Sequence, residues 1–120
     1  MGTFSVEIQI RAVAARDKSP TPMKCLVDTG AAFSQLPASF LTSLGIAQDR
    51  VIPIVLADGS RGETPAGWAE VFYQDQHAFT LVLFGAETRL ALLGAHALEG
   101  LGLAVDPVRK VLEPARFPLA

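Results

Sequence analysis

The stretch Lys24-Cys25-Leu26-Val27-Asp28-Thr29-Gly30-Ala31 carries one carboxylate from an apolar run into a turn. The apolar side chains before Asp28 are typical of a buried strand, and Thr29-Gly30 is a turn signal. Further apolar residues at 31–33 predict a largely apolar neighbourhood for Asp28. An ionised carboxylate is costly there unless hydrogen-bond donors or a second group share its charge. Asp28 therefore needs such donors, or a second group elsewhere in the molecule.

The length and composition are those of one globular domain, predicted to span residues 1–120. Hydrophobic residues make up 50% of the chain, and so large an apolar share favours a buried subunit interface. No apolar run approaches the roughly 20 residues that cross a bilayer. Cys25 is the only cysteine, so an internal disulfide is excluded and a reducing cytoplasm is the expected location.

The charged residues argue against nucleic-acid and membrane partners. The net charge is −2, and lysines and arginines are scattered, so neither a nucleic-acid footprint nor a polybasic membrane patch is predicted. The sequence has no Cys and His pairs at zinc-binding spacing and no Gly-rich phosphate loop, so we expect no metal and no cofactor. His77 and His96 are isolated and are expected to be surface or capping groups.

The start of the chain predicts an antiparallel pair of strands. Residues 4–13 alternate apolar and polar side chains, which is the period of a strand with one buried face. Residues 16–22 are polar and contain two prolines, which predicts an exposed loop. Residues 23–27 form the second strand, which ends on Asp28.

The middle of the chain predicts a short helix and a hairpin. Pro37 is expected in the first turn of a helix that ends at Gly45. Asp58-Gly59 lies between β-rich runs and is a strong hairpin signal. Trp68 and Phe72 share a face of their strand and are expected in the core. Strands are predicted at 51–56, 66–73 and 77–84.

The last third predicts a strand at 90–94, a helix at 95–101 and a closing hairpin at 103–105 and 110–112. A loop at 85–89 and an irregular tail at 114–120 flank these elements. Many short strands with one or two short helices indicate an all-β, closed barrel-like domain. A strand, a glycine and a short helix ending in Leu-Gly occur at 27–45 and again at 92–102, which suggests a duplicated half-domain.

Together these segments resemble the retropepsin-like aspartic proteases, in particular the short single-domain members of bacteria. The run Leu26-Val27-Asp28-Thr29-Gly30-Ala31-Ala32-Phe33-Ser34 matches the family's catalytic pattern. Leu92-Leu93-Gly94 before a short helix matches its second element, and residues 98–107 are especially similar to the bacterial members. The hairpin Ala57-Asp58-Gly59-Ser60 stands where the family has its flap. The resemblance covers nearly the whole chain and implies the acid-protease fold.

The resemblance also implies a partner. Peptide hydrolysis in this family needs two carboxylates about one water, and the pair shares a proton because like charges a few Å apart cannot both ionise. The chain has one Asp-Thr-Gly, and its other aspartates lie in polar loops or turns. A homodimer in which each copy contributes Asp28 would complete the catalytic pair for a peptide or protein substrate.

The family pattern assigns supporting roles to the neighbours of Asp28. In the catalytic loop these are Thr29, Gly30, Ala31 and Ser34, in the flap residues 57–60, and in the second loop Leu92, Leu93 and Gly94. Ala31 cannot donate a hydrogen bond as a serine would, which predicts a milder acid optimum than that of relatives with serine here. Cys25 would point away from Asp28 and is expected to be an inert buried thiol.

Three readings of function remain open on the sequence alone. The leading one is an aspartic endopeptidase, which the intact Asp-Thr-Gly favours. A second is a non-catalytic peptide-binding or assembly domain that holds an extended peptide by strand addition. A third is a monomer that is active only when a partner or concentration drives pairing. Asp58-Gly59 as a plain surface hairpin, and Ser34 as a structural hydroxyl, are also compatible with the pattern.

Overall fold

A computed structural model describes residues 4–87 and 90–119, so parts of the predicted loop at 85–89 and of the tail at 114–120 lie outside the described residues. None of the helices in this part of the chain has the length and apolar character needed to cross a membrane. The elements in chain order are β1 Ser5–Ala12, β2 Thr21–Val27, β3 Ser34–Pro37, α1 Ala38–Ser43, β4 Arg50–Val55, β5 Arg61–Tyr73, β6 Gln76–Gly85, β7 Leu92–Leu93, α2 Ala95–Gly100, β8 Leu103–Asp106 and β9 Val111–Pro114.

The predicted antiparallel pair at the start of the chain is confirmed as β1 and β2. The period of two places Ile8, Ile10 and Ala12 in the core. β2 begins at Thr21, so the prediction of a loop through Pro22 was wrong at its last two residues. β7 pairs with β2 only at Leu26 and Val27 in the described residues, so this end of β2 has an open edge that tolerates proline.

The all-β architecture is confirmed. The main sheet has seven strands in the order β1-β2-β7-β3-β6-β5-β4, and β1 also pairs with β5. The pairings therefore run from β1 round to β5 and back to β1, which gives the sheet its barrel-like form. β4 extends outward from β5 as a hairpin, and β5 begins earlier than expected because its first residues pair with β4. β8 and β9 form a separate two-stranded hairpin, as predicted.

The main core fills the inside of this sheet. Its largest fully buried apolar members come from the strands, from α1 and from the residue that follows α2: Ile8, Ile10, Cys25, Leu36, Leu41, Val71, Val82, Leu93 and Leu101. A smaller cluster of Ile52, Ala66 and Leu81 joins β4, β5 and β6, and Phe33 packs against it. Burial of apolar side chains on this scale contributes most of the favourable free energy of folding.

The two predicted helices are confirmed, but Pro37 is the last residue of β3 and the N-cap of α1, so its predicted place in the first turn was wrong. The two helices end in the same way. Each has six residues, and each is followed by a glycine with positive φ, +78° at Gly45 and +71° at Gly102. The left-handed conformation that ends such helices is accessible to glycine without steric cost. The similar helix ends agree with the repeat seen in the sequence. β3 was not predicted, because its four residues are too few for a periodic pattern.

Two predictions about strands were wrong in detail. The apolar run at 90–94 forms a strand only at Leu92–Leu93, where partners lie on both sides, and Leu90 is 70% exposed. Trp68 was expected in the core, but it is 48% exposed. Ala69 and Val71 occupy the core face of β5, and the period of two therefore turns Trp68 outward.

Candidate active site

Asp28 lies directly after β2, where β2 runs parallel to β7. Leu26 pairs with Leu92 and Val27 with Leu93, and the backbone N–H of Asp28 donates to the Leu93 oxygen at 3.0 Å. Leu93 is fully buried, so this pairing fixes the strand end that carries the carboxylate. The sequence elements around Asp28 and around Leu92-Leu93-Gly94, distant in the chain, are thus brought together.

The turn after Asp28 folds back on its carboxylate. The N–H of Gly30 donates to Asp28 Oδ1 at 2.9 Å, and the N–H of Ala31 donates to the Asp28 backbone oxygen at 3.3 Å. Asp28 is half-buried, whereas Thr29, Gly30 and Ala32 are exposed. The largely apolar setting that the sequence predicted is therefore not provided by the single chain. The Asp28 turn lies at its surface.

The second loop braces the first through backbone hydrogen bonds. The N–H of Gly94 donates to the buried Ser34 Oγ at 3.0 Å, and the N–H groups of Ala95 and His96 donate to the oxygens of Ala31 and Ala32 at 2.8 and 3.0 Å. These contacts satisfy donors at the start of α2, whose own N-cap residue, Gly94, has no side chain to accept from them. Ser34 thus supports the loop structurally and does not contact the carboxylate.

Gly94 is required by the close approach of the two loops. A Cβ at this position would lie 2.7 Å from both the carbonyl carbon and the oxygen of Phe33, and 2.9 Å from the oxygen of Ala31. These contacts are with backbone, which cannot turn aside as a flexible side chain can. The second loop therefore approaches the Asp28 turn as closely as it does only because residue 94 has no side chain.

The flap candidate is the tip of the β4–β5 hairpin. Asp58 Oδ1 accepts hydrogen bonds from the Ser60 N–H at 2.9 Å and the Ser60 hydroxyl at 2.6 Å, and Gly59 has a φ of +86°. These hydrogen bonds from Ser60 lower the pKa of the exposed Asp58 carboxyl. Ala57 lies in the same exposed turn. The residues Asp58, Gly59 and Ser60 therefore account for a tight turn that carries one negative charge.

The hairpin is linked to the Asp28 turn through its strands. In residues 4–87 and 90–119 no hydrogen bond joins the hairpin tip to the turn. Ile52 of β4 instead belongs to the small cluster, and both Ile54 and Phe33 pack against that cluster. Phe33 closes the loop that begins at Asp28, so the base of the hairpin and the carboxylate loop share one apolar support.

Other acidic and thiol groups do not form a metal site with Asp28 in the described residues. The described part of the chain contains no group of three or more His, Cys, Asp or Glu side chains that could hold a metal. Asp106 pairs with Arg109 at 2.7 Å in the β8–β9 hairpin. Cys25 is 1% exposed, so its predicted burial is confirmed, and that burial raises the pKa of its thiol to about 12.

Two features of the structure were missed by sequence reasoning, one at the Asp28 loop and one on the outer face of β5. The rings of Phe33 and His96 meet edge-on with centroids 4.9 Å apart, which joins the Asp28 loop to α2. On the outer face of β5, the buried Glu70 pairs with Arg11 at 3.0 Å and with His77 at 2.7 Å. The signal for the second was available, because Glu70 is a lone charge inside a β-rich run.

Comparisons with known proteins agree with this architecture. No family model and no curated protein matches the sequence. Among solved structures, the EIAV protease complexed with the inhibitor HBY-793 superposes with a TM-score of 0.61 and 22% identity over 98% of this chain and 94% of its own. The simian foamy virus (mac) protease gives 0.57 and 18% over 80% and 92%, respectively. A retropepsin-like aspartic protease from Rickettsia conorii gives 0.54 and 21% over 88% of each chain.

These similarities extend over most of each chain, while the identities are low. The chain has the fold of the retropepsin-like aspartic proteases of retroviruses and bacteria.

Proposed function

We propose that this chain is an aspartic endopeptidase whose catalytic pair consists of Asp28 from each of two copies. The observation that carries the proposal is the Asp28 turn itself. A lone carboxylate is held at the surface, with Gly30 donating to one oxygen and a second loop bracing its backbone. An ordinary strand end needs no such bracing.

The proposed chemistry uses the two carboxylates and one water. The ionised carboxylate removes a proton from the water, whose oxygen attacks the carbonyl carbon of the peptide bond. The protonated carboxyl donates its proton to the carbonyl oxygen, and proton transfer to the amide nitrogen then allows the C–N bond to break. Two like charges a few Å apart cannot both ionise, so one proton is shared. This chemistry needs neither metal nor cofactor.

A second copy would approach on the side of Thr29. A groove of about 400 Å³ there is lined mainly by apolar residues, among them Leu98, Val105 and Phe117. Phe117 is 59% exposed and Leu119 is 99% exposed, so the tail carries apolar surface at the same end of the molecule. Exposed apolar surface of this kind is typical of subunit contacts. A homodimer would cover it and pair the two turns.

The other predicted residues fit this proposal as supports. Residues 57–60 would close over an extended peptide and exclude water. Thr29 and Gly30 would face the partner turn, and the Leu92-Leu93-Gly94 loop would fix both. Ala31 lacks a hydroxyl, so the pH optimum of cleavage should be less acidic than that of relatives with serine at this position. We further propose that residues 1–120 act as one domain in a reducing compartment such as the cytoplasm, in keeping with the single cysteine.

Cleavage of a denatured-protein library at pH 3 to 7 tests the proposal. The full chain should cleave and Asp28→Asn should not, because an amide can neither remove nor share the proton. Asp75→Asn, in the β5–β6 turn, is the matched control and should cleave like the unchanged protein. Equal cleavage by Asp28→Asn and the unchanged protein would refute the proposal that Asp28 is catalytic.

A binding role without turnover is the second candidate, and the open edge of β4 favours it. β4 is the last strand of the sheet order, and Val51 and Val55 on it are 53% and 71% exposed. An extended peptide could add to such an edge. Peptide binding by both the unchanged chain and Asp28→Asn, with cleavage by neither, would support this candidate.

A further inference from the structure

The outer face of the β5–β6 hairpin carries two large aromatic side chains in water. Trp68 is 48% exposed and Phe79 is 50% exposed. The strand register pairs Trp68 with Leu81 and Glu70 with Phe79, so all four side chains share one face. Trp68 and Phe79 are therefore diagonal neighbours. Rings placed together in this way form a surface suited to an apolar ligand.

These rings line a groove together with residues of β4 and α2. It has a volume of about 630 Å³ and is bounded by Phe33, Trp68, Phe79 and Leu81, with His96 and Glu99 from α2. That volume lies within the roughly 300–1,000 Å³ of typical ligand pockets. Arg50 at the start of β4 also lines the groove, so Arg50 and Glu99 bring opposite charges to its rim. The balanced rim favours an uncharged side chain over a basic or acidic one.

The groove adjoins the proposed catalytic turn. Phe33 is five residues after Asp28 in the same loop, and its ring packs on His96 and against the cluster of Ile52, Ala66 and Leu81. Five residues of chain span at most about 17 Å. A substrate residue about five positions from a bond held at Asp28 is therefore able to reach the groove.

We propose that this groove, formed by Trp68, Phe79 and Phe33, binds a large apolar or aromatic side chain of an extended peptide substrate, at a position outside the residues that flank the cleaved bond. The inference rests on the proposed function for the meaning of that position. Binding in the groove does not itself require Asp28 to be ionised or paired.

Tryptophan fluorescence tests the binding directly, because Trp68 is the only tryptophan in the sequence. The probes are decapeptides that differ at one position, which carries Phe, Ala or Glu, added to the full-length Asp28→Asn variant. The Phe peptides should shift the emission to shorter wavelength and saturate it. The Ala and Glu peptides should need roughly tenfold higher concentration, since loss of a buried aromatic side chain weakens binding by about that factor. No shift with any Phe peptide at millimolar concentration would overturn the inference.

Cleavage profiling separates this inference from the proposed function. With Trp68→Ala, the preference for large apolar residues at one distal position should fall roughly tenfold, and Trp68→Phe should largely retain it. Val108→Ala, at an exposed apolar residue of the β8–β9 hairpin, is the control and should leave the preference unchanged. Thermal unfolding establishes that each variant is folded.

The outcomes distinguish the two ideas. If the unchanged chain and Trp68→Ala cleave the same bonds with the same preferences, the groove has no such role and the protease stands. If the fluorescence shift occurs but the unchanged chain cleaves nothing, the protease is wrong and the groove remains a peptide-binding surface.

Discussion

Gly94 is a residue of the candidate site at which the backbone leaves no room for a side chain. It lies where the second loop meets the Asp28 loop, and its missing side chain leaves room for the carbonyl groups of Ala31 and Phe33. The N–H groups of Ala95 and His96, which follow Gly94, can reach their carbonyl acceptors only when the two loops are this close. One hydrogen atom in place of a methyl group therefore maintains several hydrogen bonds of the site.

Gly94→Ala should destabilise the fold by about 2 kcal/mol or more, because a methyl group forced against backbone requires the two loops to separate. The free energy of unfolding from urea denaturation measures the loss. Gly62→Ala is the matched control, since a Cβ there would meet only Ile54 at an ordinary 3.7 Å. Equal stabilities of the two variants would contradict this account of Gly94.

Among the elements, the outer face of β1, β5 and β6 is held by a buried carboxylate. Glu70 is 1% exposed and accepts from Arg11 and His77, while Phe72 stacks on His77 and lies under Arg11. Burial opposes the ionised form of Glu70, but the hydrogen bonds and charges of His77 and Arg11 outweigh it. The pKa of this carboxyl is therefore lowered.

This lowered pKa predicts a pH-dependent contribution to stability. The contribution is complete above the ordinary pKa of 4.5 and is lost as the pH falls through the lower folded value. Glu70→Gln should destabilise the protein by about 3 kcal/mol at pH 7, because Arg11 keeps its charge and loses its partner. The difference from the unchanged chain should shrink below pH 4.

Urea denaturation at pH 7 and at pH 3 measures this difference. Glu63→Gln, at an exposed glutamate of the same strand, is the control and should change little at either pH. A Glu70→Gln effect that stays constant from pH 7 to pH 3 would contradict the linkage.

Most elements could be predicted from local patterns, and the failures have physical causes. The period of two gave β1, and Asp58-Gly59 gave the β4–β5 hairpin. β3 was not predicted because its parallel partner β6 lies about 48 residues away in the sequence, and no local pattern indicates such a pairing. Periodicity identified Trp68 and Phe72 as neighbours on one face, but could not decide which face of β5 was inside.

In the candidate site, the sequence predicts two segments but not their surroundings. The Asp28 turn and the Leu92-Leu93-Gly94 loop are both predicted, and the fold brings them together. The apolar enclosure expected for Asp28 is missing from the single chain, because the residues after it turn to the surface. If a second copy provides that enclosure, the residues next to Asp28 in the sequence do not reveal it.

At the scale of the whole molecule, activity should depend on protein concentration. Each chain supplies one Asp28, so the proposed catalytic pair forms only on association. Activity per chain should rise with concentration and then level off, and sedimentation should show dimers over the same range. Phe117→Asp should move the midpoint of this rise in activity to roughly tenfold higher protein concentration, because a charge would enter the apolar groove beside Thr29.

Val108→Asp is the control for Phe117→Asp, since Val108 is 88% exposed in the β8–β9 turn. Activity per chain that stays constant on dilution, with sedimentation as a monomer, would contradict the shared pair.

The buried thiol of Cys25 can report the opening of β2. Its thiol is the only one in the sequence, lies on β2 three residues before Asp28, and is 1% exposed with a raised pKa. A thiol reagent can therefore react only when β2 separates from its neighbours. The rate of modification under native conditions measures how often the strand that carries the carboxylate comes loose, without any introduced label.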